Sequence, residues 1–119
     1  MPSKYSDFDE REQAIEAKFA HDEELRFRAA ARRDKLFARW AAERAGLDEA
    51  ATGAVVAAAL ALKAGPTHHQ ALLDLAAATL GGTPDPAALL ATLDACARSA
   101  WEQIHGEKLD PDAKLVLPG

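Results

Sequence analysis

Apolar residues recur at helical spacing along most of this chain, and glycine and proline divide the pattern into four segments. The first segment, residues 8–47, contains no proline, and its only glycine is Gly46. The next breaks are Gly65-Pro66 and Gly81-Gly82, and the last segment ends at Gly106. Because glycine and proline interrupt helices more strongly than other residues do, we predict four helices joined at these points.

Capping residues support these boundaries. Gly46 suits the residue that follows a helix C-terminus, and Asp48 can cap the N-terminus of the second helix. Thr67, with Gln70 three residues later, has the form of a capping box for the third helix. Thr83-Pro84 offers a cap and a proline at the first position of the fourth.

Each of the last three segments carries an apolar stripe, which predicts that the helices pack together. The second helix has Val55, Val56, Ala59, Leu60 and Leu62. The third has Leu72, Leu73, Leu75, Ala76 and Leu80. The fourth has Leu90, Leu93, Ala97, Trp101 and Ile104. The predicted fold is a small all-α four-helix bundle over residues 21–106.

The first predicted helix is longer than the others can match. At about 1.5 Å per residue it would extend roughly 55 Å, whereas each later helix would reach roughly 20–30 Å. Apolar residues at bundle-compatible spacing occupy its second half: Leu25, Ala29, Leu36 and Trp40. Phe27 and Phe37 widen this stripe. We therefore expect the second half to join the bundle and the first half to lie outside it.

The first half has a narrower stripe of its own. Phe8, Ile15 and Phe19 would lie within about 40° of one another on a helix. Because nucleation and backbone entropy oppose an isolated helix, we expect residues 1–20 to be disordered or transiently helical in the free protein. Residues 107–119 contain two prolines and no clear stripe, so we expect an irregular C-terminal tail.

Composition fits a single helical domain. Of the 119 residues, 49% are hydrophobic, largely alanine, and only 6% are aromatic, which disfavours a sheet. The net charge of −5 argues against a general nucleic-acid-binding protein. The single cysteine, Cys96, excludes an internal disulfide and fits a reducing compartment. The N-terminus lacks a signal-peptide pattern and the apolar run at 55–62 is too short to cross a bilayer, so we expect a cytoplasmic protein.

Several residues resemble parts of catalytic or metal sites without completing one. Glu102 and His105 form a Glu-x-x-His unit, but a di-iron site needs a second copy, which the sequence lacks. His68 and His69 begin a predicted helix, where we expect them to be exposed capping residues. Cys96 has no activating neighbour in sequence and should be a packed thiol. We therefore predict no catalytic residue and no metal site, and the protein should not be an enzyme.

A run of basic residues occupies the second half of the first helix. Its members are Arg26, Arg28, Arg32, Arg33, Lys35 and Arg39. Without interleaved aromatics on that face, docking against an acidic protein surface or plain solvation is favoured over nucleic-acid binding. Trp40 and Trp101 lie on apolar stripes, so we expect both in the core or at its edge.

One long stretch resembles a known family. The sequence EAKFAHDEELRFRAAARRDKL, with REQAI before it and WAAERAGL after it, resembles the zeta subunit family of alphaproteobacterial F1FO-ATP synthases. The resemblance covers about residues 8–47 and implies a four-helix bundle with an N-terminal inhibitory segment. That segment would enter an α/β catalytic interface of the F1 sector. It would block rotation in the direction of ATP hydrolysis and largely spare synthesis.

The resemblance also implies partners and a location. The expected partner is the F1 sector, including a contact with its rotor, and the protein would lie at the cytoplasmic periphery of the membrane-bound synthase. Neither nucleic acid, a disulfide-linked partner nor a cofactor is expected. Some relatives bind adenine nucleotides weakly, so the alternative is a helical regulatory module that binds such a nucleotide. Residues 51–82 lack the acidic and aromatic residues usual in the family, and we assign no residue to a nucleotide site.

The inhibitory residues implied by the resemblance lie near the N-terminus. They are Phe8, Arg11, Glu12, Ile15, Lys18 and Phe19. Ile15 stands where the family usually has phenylalanine, so this chain has a smaller apolar anchor. The predicted organisation is thus a flexible inhibitory segment at 1–20, a bundle at 21–106 and a tail at 107–119.

Overall fold

The computed structural model describes residues 4–109, without the side chains of residues 4–11, 15, 19 and 107–109. Within this range the chain forms four helices and no strands. They are α1 (Lys4–Arg44), α2 (Glu49–Leu60), α3 (His68–Leu80) and α4 (Pro86–Leu109). The predicted all-α four-helix bundle is confirmed, and α1 contacts each of the other three helices.

Small residues on α1 allow the helices to approach closely around the main core. Phe37 is fully buried there and stacks on Trp40 with ring centroids 5.7 Å apart. The other buried members of this core are Ala38, Ala41, Ala59, Leu72, Ala76, Leu89 and Leu93. Because four of these eight residues are alanines, the core depends on short distances between helices rather than on large side chains.

A second, smaller core lies where α1 leaves the bundle. Leu25 and Ala29 of α1 pack with Ile104 of α4, and all three side chains are buried. Leu93, which lies nearer the N-terminus of α4 than Ile104, packs in the main core with Phe37. The order of these contacts shows that α4 runs antiparallel to α1.

The buried face of α4 differs from the predicted stripe. Leu89, Leu93, Ala100 and Ile104 are buried, whereas Leu90 is 47% exposed. Trp101 is 41% exposed, so of its two predicted places, the core or its edge, the core is excluded. Leu93, Ala100 and Ile104 follow Leu89 by four, eleven and fifteen residues, which places these four residues on one face of a helix. The residues of the predicted stripe also share one face. Spacing alone could not distinguish the two faces.

The connection between α1 and α2 forms as predicted. Gly46 has a φ of 78°, a left-handed conformation that residues with a side chain rarely adopt. The Leu47 amide donates to the Ala42 carbonyl over 3.0 Å, which completes a Schellman motif. Asp48 then caps α2, because its carboxylate accepts from the Ala51 amide at 2.8 Å.

The other predicted helix boundaries need correction. α2 ends at Leu60, before the Gly65-Pro66 pair that was expected to stop it. Thr67 precedes α3 but makes no side-chain capping bond. Its φ of −96° and ψ of 1° differ from the extended backbone that a capping hydroxyl needs. The capping box predicted from Thr67 and Gln70 is therefore wrong.

The start of α4 lies two residues later than predicted. Asp85 accepts a 3.2 Å hydrogen bond from the Ala87 amide, and Pro86 occupies the first helical position. The sequence Thr-Pro-Asp-Pro offers the same cap-proline pair twice, and the pair with the carboxylate is used. α4 also continues through Gly106 to Leu109, and the rest of the predicted tail lies outside the described residues.

No helix between residues 4 and 109 combines the length and the apolar character needed to cross a membrane.

Candidate partner-binding site

The first half of α1 extends beyond the bundle, and none of its described side chains is buried against another helix. Every described side chain from Glu12 to Glu24 is exposed, and the first buried side chain on the helix is Leu25. We call residues 4–24 of α1 the arm. At about 1.5 Å per residue the arm extends roughly 30 Å.

The predicted contact residues all lie on the arm. The side chains of Glu12 and Lys18 are exposed. Those of Phe8, Arg11, Ile15 and Phe19 lie outside the described part of the structure, so only their helical backbone positions are known. One continuous helix thus carries all six residues. Of the two states expected for residues 1–20, the structure shows the helical one from Lys4 onwards, and the expected flexibility stays a prediction.

A polar cluster holds the connection between α2 and α3 against α1, just beyond the arm. Asp34 is only 4% exposed, although it is charged and lies in the middle of α1. Arg33 donates to one carboxylate oxygen of Asp34 from Nε over 2.9 Å. The His68 ring contacts the other oxygen through Nε2 at 2.6 Å. We call these three residues the Asp34 cluster.

His68 also reaches back to its own connection. Its Nδ1 lies 3.0 Å from the Lys63 carbonyl oxygen, so both ring nitrogens face oxygens. The ring therefore ties the α2–α3 connection to α1, and the prediction of an exposed capping residue is wrong for His68. His69 is exposed as predicted, and its Nε2 accepts from the Arg33 guanidinium at 3.1 Å.

Sequence reasoning missed the Asp34 cluster, although one signal was available. Asp34 lies three residues before Phe37 and seven before Ala41, which places it on the buried face of α1. A carboxylate at such a position needs a partner from another element. Its partner, His68, is 34 residues away along the chain, and no local pattern identifies it.

The basic run is divided among several environments. Arg26 pairs with Glu23 at 3.1 Å on the exposed surface, where such a pair contributes little to stability. Arg32 lies 3.4 Å from the side-chain oxygen of Gln103 on α4. Arg33 belongs to the Asp34 cluster. The run therefore contributes to bundle contacts and also gives this part of α1 a positive surface.

A family comparison covers the arm and the bundle together. The model of the family described as ATPase inhibitor subunit zeta matches residues 5–103. The chain belongs to this family. The chain matches no curated protein and no solved structure. Because the zeta family match starts in the arm, the arm is part of the family pattern and not an addition to it.

Two further candidate residues of this zeta family member, His105 and Cys96, make packing contacts. In the described part of the chain, no group of three His, Cys, Asp or Glu side chains is placed to hold a metal ion. His105 packs against the edge of Trp101, with ring centroids 4.5 Å apart. Cys96 packs beside the main core, and burial raises the pKa of its thiol. A thiol in that environment is a weaker nucleophile at neutral pH, as a packed cysteine should be.

Proposed function

We propose that this chain is the inhibitor subunit of a bacterial F1FO-ATP synthase and that its arm is the blocking element. In this proposal the arm enters a catalytic interface of the F1 sector and stops rotation in the direction of ATP hydrolysis. The observation that supports it most directly is the exposure of every described side chain from Glu12 to Glu24. A helix whose described side chains pack against no other element of the chain supports a partner from another protein.

The mechanism is steric and needs no chemistry from this chain. A helix with its side chains is about 10–12 Å wide, so the arm can enter a cleft that the bundle cannot. The small core of Leu25, Ala29 and Ile104 holds the base of the arm against α4. An inserted arm would therefore stay attached to a body that remains outside the cleft. The protein would act at the cytoplasmic face of the membrane, through its contact with the synthase.

The free energy of insertion sets the expected affinity. Burial of the three predicted apolar anchors, Phe8, Ile15 and Phe19, would contribute about 1.5–3 kcal/mol each. Ordering a disordered segment would cost about 1–2 kcal/mol per residue, which exceeds that gain over a dozen residues. Preformed helix and charge-assisted bonds from the polar contact residues would have to supply the difference. We therefore expect moderate affinity that falls as salt concentration rises.

Titration of the cognate F1 sector tests the proposal. ATP hydrolysis would be measured with the full chain and with a version that lacks residues 1–19. Inhibition by the full chain that disappears on truncation is the expected result. A pull-down separates the two ways of failing. Binding without inhibition would show that the arm is not the blocking element, and absence of binding would remove the F1 sector as the partner.

A further inference from the structure

A second exposed surface lies beside the base of the arm. Phe27 is 75% exposed and Leu60 is 52% exposed, and both line the same two grooves between α1 and the end of α2. Phe27 was expected to widen the buried stripe of α1, and that expectation is wrong. We call Phe27, Leu60 and the intervening Ala31 the Phe27 patch.

We propose that the Phe27 patch is a second docking site for the ATPase and that it binds an acidic segment carrying apolar side chains. This inference rests on the proposed function, because it names a further contact with the same partner. The arm would block rotation, and the patch would hold the bundle in place.

The first groove beside the patch is mainly apolar. It has a volume of ≈ 360 Å³, which is large enough for one or two side chains of a partner. Its apolar lining outside the patch consists of Ala30, Leu62, Ala64 and Pro66. The Asp34 cluster and His69 line the same groove. Because the cluster fixes the α2–α3 connection, this groove is formed before any partner arrives.

The second groove is basic, and this charge identifies the class of partner. It has a volume of ≈ 280 Å³ and includes Arg28, Arg32 and Lys35 in its lining, on the other side of Phe27. Residues 26–39 contain six of the chain's 14 lysines and arginines and only one acidic residue. The chain as a whole has a net charge of −5. A local positive surface on an acidic protein favours an acidic partner and steers its approach.

The position of the patch fits a partner that already holds the arm. Phe27 lies two residues after Leu25, where α1 enters the bundle. Twelve residues of the same helix separate it from Ile15, a distance of about 18 Å. A protein that encloses the arm would therefore lie beside the patch, and a large aromatic residue such as Phe27 is the type that dominates binding energy at interfaces.

The test uses the full chain with Phe27→Ala and measures both its affinity for the purified cognate F1 sector and its inhibition of ATP hydrolysis at saturation. We expect affinity to fall about tenfold or more, because interface anchors lose at least that much on truncation. Inhibition at saturation should stay complete, because the arm is unchanged. Leu90→Ala is the matched control, since Leu90 is also a large exposed residue (47%) on the bundle surface.

A charge reversal gives an independent readout. Lys35→Glu should weaken binding and reduce its dependence on salt. Arg44→Glu is the control, because Arg44 is exposed and lies outside the basic run and both grooves, and it should change affinity less than twofold. Unchanged melting temperatures would show that the variants fold.

The outcomes separate the inference from the proposed function. Wild-type affinity for both Phe27→Ala and Lys35→Glu, with wild-type inhibition intact, would overturn the second docking site alone. No binding and no inhibition by the wild-type chain would overturn the proposed function, and the docking site with it.

Discussion

The two halves of α1 belong to one continuous helix but have different surroundings. In residues 25–44, Leu25, Phe37 and Ala41 are among the side chains buried against the other helices. In the arm, no described side chain is buried. Both halves lack proline and glycine and contain closely spaced opposite charges. Local propensity therefore extends the helix through both halves, and contact with other helices determines which half becomes part of the body.

Hydrogen exchange should give the largest contrast between the halves. Amides near Phe37 should exchange only when the bundle opens, whereas amides before about residue 20 should exchange near the unprotected rate. We expect protection to differ by at least about a thousandfold, given typical domain stabilities. Strong protection at Ile15 in the isolated protein would show that the arm packs on its own bundle.

Truncation of a core residue should have the next largest effect. Phe37→Ala should reduce the free energy of unfolding by about 3–5 kcal/mol, because Phe37 is fully buried and its removal leaves a cavity. Urea denaturation followed by circular dichroism measures this. Phe27→Ala, at an exposed ring on the same helix, is the comparison and should cost less than about 1 kcal/mol. Equal losses would contradict the assignment of Phe27 to the surface.

Removal of the buried carboxylate tests the contact between α1 and the α2–α3 connection. Asp34→Ala should cost about 2–3 kcal/mol, because it leaves Arg33 and His68 without their shared acceptor. Asp74→Ala is the control, since its carboxylate accepts from Gln70 on the exposed surface. Thermal unfolding of both variants gives the comparison, and similar melting temperatures would contradict a structural role for the cluster.

Thiol alkylation distinguishes the bundle, where Cys96 lies on α4, from the arm. Burial raises the pKa of Cys96 in the folded protein, so less thiolate is present at pH 8 and alkylation should be slow. A cysteine on the arm, introduced as Ala17→Cys in a Cys96→Ala background, should react about tenfold faster. A raised pKa also means that the contribution of Cys96 to stability is present below its unfolded pKa. That contribution is lost as pH rises through the folded value. Equal alkylation rates would contradict the burial of Cys96.

Changes on the arm should have the smallest effect on stability and a large effect on activity. Replacing Phe8 and Phe19 with alanine should change the free energy of unfolding by less than about 1 kcal/mol, as expected for sites outside the core. Inhibition of ATP hydrolysis by the cognate F1 sector should weaken in the same variant. A large loss of stability would place these rings in the bundle and remove the distinction between the halves.

Prediction from local signals succeeded for the four helices and one connection, but it failed for the capping box at Thr67 and the end of α2. The four helices, the turn at Gly46 and the cap at Asp48 follow from residues adjacent in the chain. Prediction also failed at the start of α4, where the sequence offers two pairs of a capping residue and a proline. These pairs are Thr83-Pro84 and Asp85-Pro86, and local sequence does not distinguish them. The decision between them depends on tertiary packing.

The candidate site also has one part that the sequence predicts and another part that it does not. The arm was predictable because α1 as a whole is longer than every other helix, which is a property of the sequence pattern. The Asp34 cluster and the exposure of Phe27 were not, because both depend on how α2 ends at Leu60 and how the following connection turns back to α1. Two residues 34 positions apart share no local pattern that could have paired them.

The absence of glycine and proline from Lys4–Arg44 has a mechanical consequence. Sharp bends in helices arise almost entirely at proline, at glycine or serine pairs, or at inserted residues, and the only serine in this range, Ser6, stands alone. When the arm is helical and held by a partner, force applied at its tip therefore acts on a stiff lever and reaches its base as torque. The fulcrum is the contact of Leu25 and Ala29 with Ile104, and Phe27 lies between these two α1 residues in the sequence. A rotor that pushes on the arm would apply force to that contact. A partner bound at the Phe27 patch would resist the resulting rotation of the bundle.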